Sequence, residues 1–275
     1  MRISGYGEET YLYLNGIGIS KKLILGEIIE LLPANCSPNP DDIISVSKNE
    51  VDIGISAIFL RQVRSQFHIM ADDPKSLAMY AWNSLWDALL LGALFDCEAV
   101  CNFQCDKPAE EFNAVCELEI TNYHLRGLTD SVYMINDQDH AWIEQFFQKG
   151  KKLLNKPKFQ NAVHCLATYR WHSLPRAKIA LIWSGIEGMV DVGTETVFRL
   201  SLYISRFLSP TNKDDMKIIF SNVKKLYTKR SSAVHGSKIK GEVDIIVKDS
   251  AELLRTLIRQ CIIIGDLPRI DELAP

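Results

Sequence analysis

Two different periodicities divide this chain. Up to about residue 136 the apolar positions come in short runs, and beyond it they recur every three to four residues over long stretches. In the first part, TYLYLNGIGI, VDIGISAIFL and SQFHIMAD are rich in Ile, Val, Tyr and Phe and are punctuated by Gly, Pro, Asn and Asp, which predicts strands. VCNFQC and FNAVCELEI predict two more. Between them ADDPKSLAMYAWNSLWDALLLGALFD predicts one long helix, opened by Asp72, Asp73 and Pro74 as a cap followed by a first-turn proline. In the second part, DQDHAWIEQFFQKGKKLL, KFQNAVHCLATYRWH, LPRAKIALIWSGIEGMVD, TETVFRLSLYISRFLS, DDMKIIFSNVKKLYTKRSSAVHG and VKDSAELLRTLIRQCIIIG predict six helices. Turn signals at 155–157, 173–175, Gly193, 209–212 and 237–241 separate them, and such short links favour antiparallel neighbours in a bundle.

The predicted class is therefore α+β: a small N-terminal α/β sheet domain over residues 1–136, followed by an all-α bundle over 137–275. A length of 275 residues favours two domains, although one merged domain is compatible with it. With 47% hydrophobic and 24% charged residues the chain can bury a real core, which excludes wholesale disorder. The longest apolar run, Ser76 to Phe95, is broken by Asn83 and Asp87, so it predicts a buried amphipathic helix rather than a membrane span. The first residues, MRISGYGEETYLYLNG, carry two glutamates where a secretory leader needs an apolar run. Seven cysteines without paired spacing fit a reducing cytoplasm. CEAVCNFQC, with Cys116 and His124 beyond it, invites a test for zinc. On a strand, however, Cys97, Cys101 and Cys105 would stand about 13 Å apart in succession, too far to share one ion, so no metal is expected there.

The overall charge of −3 hides a local excess. From Lys217 to Lys240 there are seven basic residues, including Lys224, Lys225, Lys229, Lys238 and Lys240, and no acidic one. They form either a solvated helix face or a contact for a polyanion such as RNA. Within this segment Ile219, Val223 and Leu226 make an apolar stripe that Arg230 joins four residues later, and His235 and Gly236 follow. A charge on such a stripe needs a partner or a task. One reading is a structural salt bridge for Arg230 and a helix-terminal position for His235. The other is a site for phosphate chemistry, with a permanently charged planar fork beside a proton carrier that titrates near neutrality. Glu187, set in the apolar tract 182–190, is either a surface residue or the partner of Arg230.

KFQNAVHCLATYRW, IALIWSGIEGMVD and KLYTKRSSAVHG, the last followed by a final apolar helix, together resemble the HEPN superfamily, most closely its Apea-like branch, over roughly residues 137–268. The resemblance implies a metal-independent ribonuclease of the R-x4–6-H type that needs no cofactor, completed when two copies dimerise. Arg230 and His235 would be its catalytic pair, with Ser231 and Glu187 supporting and the lysines above binding RNA. Ser231 departs from the family, where Asn, Asp or His is usual, and it cannot orient a histidine as an acid or amide does. Five residues of helix set Arg230 and His235 about 140° apart around the axis and about 7.5 Å apart along it, so a broken helix end or a second copy must bring both to one phosphate. The same resemblance admits a non-catalytic module that binds RNA, a nucleotide or a partner protein. It also gives the N-terminal half a regulatory role in an antiviral or toxin effector. No Walker loop, Ser-His-Asp order or carboxylate cluster offers another enzyme class.

Overall fold

The computed structural model describes residues 3–5, 7–123, 132–190, 192, 196–234 and 243–273. Its elements are α+β, an antiparallel sheet followed by helices. The chain divides into two compact units, Met1–Gln148 and Lys149–Pro275. The division falls inside a helix that begins at Asp137, so the sheet unit extends past the expected limit at residue 136.

In the first unit, β1 (Glu9–Asn15), β2 (Ile17–Ile19), β3 (Leu23–Ile24) and β4 (Ile29–Pro33) precede α1 (Pro40–Val46) and α2 (Glu50–Phe59). Then come β5 (Ser65–Met70), α3 (Pro74–Phe95), β6 (Val100–Cys105), β7 (Leu118–Ile120), β8 (Tyr133–Ile135) and α4 (Asp137–Leu153). Six strands form one antiparallel sheet in the order β3-β4-β5-β1-β6-β7, while β2 and β8 pair in parallel. β1 is central. Its register sets Leu12 against Phe67 and Tyr13 against both Gln66 and Phe103.

Strand alternation sends Tyr11 and Tyr13 to the face covered by α1 and α2, where Ile43, Ile55, Phe59 and Phe103 complete the core. Leu12, Leu14 and Phe67 point the other way and are fully buried, and α3 packs against β1, β5 and β6. Burial on both faces makes these strands read as continuous apolar runs. Gly16 turns the chain between β1 and β2 at φ +83°, and a Cβ there would stand 1.8 Å from the Glu98 carbonyl, so no other residue fits.

One expectation is overturned. VDIGISAIFL is helical, because Asn49 caps α2 by accepting from the N–H groups of Val51 and Asp52, and Asp52, Ile55, Ser56 and Phe59 are buried at helical spacing. Local capping and a 3.6-residue period outweigh the strand propensity of β-branched residues. The sheet is accordingly covered by more than the one long helix. FNAVCELEI forms a strand only over its last three residues. α3 starts as the sequence indicates, with Asp73 capping the N–H groups of Lys75 and Ser76. Among the described residues no helix is long and apolar enough to cross a membrane.

The second unit continues with α5 (Pro157–Thr168), α6 (Pro175–Val190), α7 (Thr196–Leu208), α8 (Lys213–Val234), α9 (Val243–Ile264) and α10 (Ile270–Leu273). α6 packs against α5, α7, α8 and α9 and carries the largest buried side chain, Trp183, whose Nε1–H donates to Ser250 Oγ at 3.0 Å. At Gly185 three helices meet closely. A Cβ there would lie 2.9 Å from Leu254 Cδ2 and 3.1 Å from Cys165 Cβ. All seven cysteines of the chain are free thiols and all are buried.

Candidate functional site

α8 brings Arg230 to the bundle. Asn212 starts the helix by accepting from the N–H groups of Asp214 and Asp215, and Val223 and Leu226 bury its inner stripe. Arg230 falls on that stripe one turn after Leu226, where α8 runs along α6. Its Nη2 lies 3.1 Å from Glu187 Oε1 and 3.2 Å from Oε2, so one nitrogen is shared by both carboxylate oxygens. The Arg230 side chain keeps 19% of its exposure and that of Glu187 31%, which leaves the pair half-buried.

Aromatic residues wall this pair. The Arg230 guanidinium carbon stands 5.3 Å from the centre of the Tyr227 ring, and that ring meets Trp183 edge-on at 5.3 Å and 87°. Burial, and then the Glu187 charge, push the Tyr227 hydroxyl above its ordinary value, against the opposing pull of Arg230. Tyr227 therefore stays a neutral donor. Arg230 Nε is buried and has no hydrogen-bond partner among the described residues, so the guanidinium is only partly committed to Glu187.

Ser231 is half-buried beside Arg230 in the last turns of α8. His235, Lys238 and Lys240 lie outside the described residues, as does His124. Lys224, Lys225 and Lys229 are exposed. Lys225 and Lys229 line a groove of about 640 Å³ between α8 and α9, together with Asp249 and Glu252, and Arg230 is not part of its wall. The stretch that lacks acidic residues in sequence thus meets two of them in space, contributed by α9. The structure brings Arg230 to Glu187 but does not gather the described lysines around Arg230.

Two clusters are assembled by the fold rather than by spacing along the chain, the second of them sharing Cys105 and Cys116 with the set tested for zinc in the sequence. His68 Nε2 stands 2.8 Å from Glu9 and its Nδ1 3.6 Å from Glu30, while its ring stacks on Tyr11 at 4.7 Å. Strand register creates this row, since His68 pairs with Tyr11 on β1 and with Glu30 on β4. A hydrogen bond from Lys22 is the main cause that holds the Glu30 carboxyl below its usual range, and burial, aided by Glu9, pushes Tyr11 up to about 12. The second cluster is Cys105, Asp106 and Cys116, the one group among the described residues with the donor set of a metal site. Cys101 and Cys105 both lie on β6, and Cys105 is joined not by Cys101 but by a residue from across the sheet.

Comparison with protein-family models, with curated proteins and with solved structures finds no match for this chain.

Proposed function

We propose that the helical unit is a HEPN-type, metal-independent endoribonuclease acting on RNA in the cytoplasm, with Arg230 and His235 as its catalytic pair. The observation that carries this reading is the half-buried Arg230 near the end of α8, held by Glu187 of α6 and by the Tyr227 ring, five residues ahead of His235. RNA brings its own nucleophile. The protein has only to move a proton and stabilise negative charge. In the proposed reaction the ribose 2′-hydroxyl attacks phosphorus, its proton leaves to a base, and the 5′-oxygen departs with a proton. The products are a 2′,3′-cyclic phosphate and a 5′-hydroxyl. His235 has the right unperturbed pKa for one of these proton transfers, and Arg230, always charged, faces the phosphate oxygens. A second copy of the chain would complete the cleft, and the N-terminal unit would gate an antiviral or toxin activity.

A second reading is a binding module without catalysis. Glu187 already engages Arg230, and Lys225 and Lys229 share a groove with Asp249 and Glu252 of α9, which favours a structural role for these charges. The two readings part on one assay. The full chain, the His235→Ala variant and the Arg230→Ala variant are incubated with single-stranded RNA in the absence of added Mg²⁺, and the ends of the products are mapped. The nuclease reading expects cyclic phosphate ends from the native chain and a loss of at least ~100-fold in the histidine variant with unchanged circular dichroism. Native-like cleavage by His235→Ala, or RNA binding without cleavage by the native chain, overturns it.

A further inference from the structure

We infer that Cys105, Asp106 and Cys116 form a binding site for a thiophilic divalent cation of the zinc class, in the sheet unit and separate from Arg230. β6 ends at Cys105, Asp106 follows it, and Cys116 arrives from the turn just ahead of β7, whose Leu118 pairs with Cys105. The two Sγ atoms and an Asp106 carboxylate oxygen all lie within 4.8 Å of one another. Ligands around a tetrahedral zinc ion with bonds of about 2.3 Å to sulfur stand roughly 3.8 Å apart, so a contraction of about 1 Å closes the site.

The surroundings suit ligands rather than inert thiols. The Glu117 N–H donates to Asp106 Oδ1 at 2.8 Å and the Asn113 N–H donates to Cys116 Sγ at 3.3 Å, so each is oriented by backbone from the turn that precedes β7. A cavity of about 380 Å³ reaches Cys105, Asp106 and Cys116 and gives a cation a way in. Lys48 lines the same cavity, paired with Glu119, and Glu117 lines it as well. Two sulfurs disfavour magnesium and calcium, which take oxygen ligands, and select zinc and its softer neighbours. Three protein ligands leave a fourth position towards the cavity, open to water or to a thiol from solution. An ion held here ties the Asn113–Cys116 turn to the end of β6 and fastens the three-residue edge strand β7.

The test uses the full chain, reduced and stripped of metal, titrated with Co²⁺ as a spectroscopic stand-in for zinc. The expected result is one equivalent bound, with a near-ultraviolet thiolate-to-cobalt band of two-sulfur intensity and visible bands of tetrahedral strength, both displaced by Zn²⁺. Cys116→Ser lowers affinity by about 100-fold or more and Asp106→Asn by about 10-fold, whereas Cys165→Ser in the helical unit changes nothing. If a serine variant fails to fold, the intensity of the native chain still counts the sulfurs. Absence of the thiolate band, a band unchanged in Cys116→Ser, or a Cys105–Cys116 disulfide in protein purified without reductant overturns the proposal.

Discussion

Replacing Arg230 and Glu187 singly and together measures how firmly α8 is tied to α6. The guanidinium nitrogen contacts both carboxylate oxygens at 3.1 and 3.2 Å, and neither side chain is fully desolvated. Unit charges about 4 Å apart attract by roughly 4 kcal/mol at an effective dielectric near 20, before lost hydration is subtracted. Exposed pairs retain about 0.2–1 kcal/mol of this, while breaking a fully buried pair costs about 3–5 kcal/mol. At 19% and 31% exposure the coupling falls between these limits, at about 1–2 kcal/mol. Arg230→Met also loses the contact with the Tyr227 ring, for a total of about 2–3 kcal/mol, and Glu187→Gln costs about 1 kcal/mol. Urea unfolding of the native chain, the two single variants and the double variant, followed by far-ultraviolet circular dichroism, yields the coupling as the departure from additivity. A value under about 0.5 kcal/mol would refute the idea that Glu187 holds the arginine in place, and with it the geometric basis of the proposed site. A large coupling with full RNA cleavage by Arg230→Met would leave a strut and no catalyst.

Two further outcomes follow from the packing of the helical unit. Gly185→Ala drives a methyl group against Leu254 and Cys165 where α5, α6 and α9 meet, so a loss of about 1–3 kcal/mol, seen as a lower melting temperature, should exceed the gain in helix propensity; an unchanged or higher melting temperature contradicts the close approach. Lys156, then Arg269 and the Leu267 N–H, hold the Asp266 carboxyl well below the usual carboxylate range. Because the folded pKa is depressed, this stabilisation is complete above about pH 4 and fades as the pH falls towards the folded value. The stability advantage of the native chain over Asp266→Asn should therefore narrow between about pH 4 and pH 2, and a constant difference across that window would remove the assigned cause.

The helical half was legible because its signal is local. Ile179, Ile182, Trp183 and Ile186 repeat at helical spacing and are all fully buried in α6, and the turn signals around 155–157, 173–175 and 209–212 fall between helices. The same locality allowed Arg230 to be singled out, since a charge on an apolar stripe breaks its own pattern. The sheet half was harder to read. Ile53, Ile55 and Ile58 look like strand residues by composition, and only the Asn49 cap and the burial of Asp52, Ile55, Ser56 and Phe59 reveal a helix. Contacts set by register leave no trace along the chain. Cys105 meets Cys116 across ten intervening residues because β6 and β7 pair, and His68 meets Glu9 and Glu30 because three strands line up. Likewise the basic run of α8 looked unopposed until α9 placed Asp249 and Glu252 alongside it.

The complete burial of the cysteines equips this chain with its own reporters of opening. Away from the cavity that reaches Cys105 and Cys116, a bulky thiol reagent added to the reduced, metal-free native protein can label a site only when the surrounding structure breathes. Cys36, Cys97 and Cys101 report on the sheet unit, while Cys165 and Cys261 report on the helical one. Peptide mapping of modification over time would thus yield a separate opening rate for each half of a single molecule, with no engineered probe.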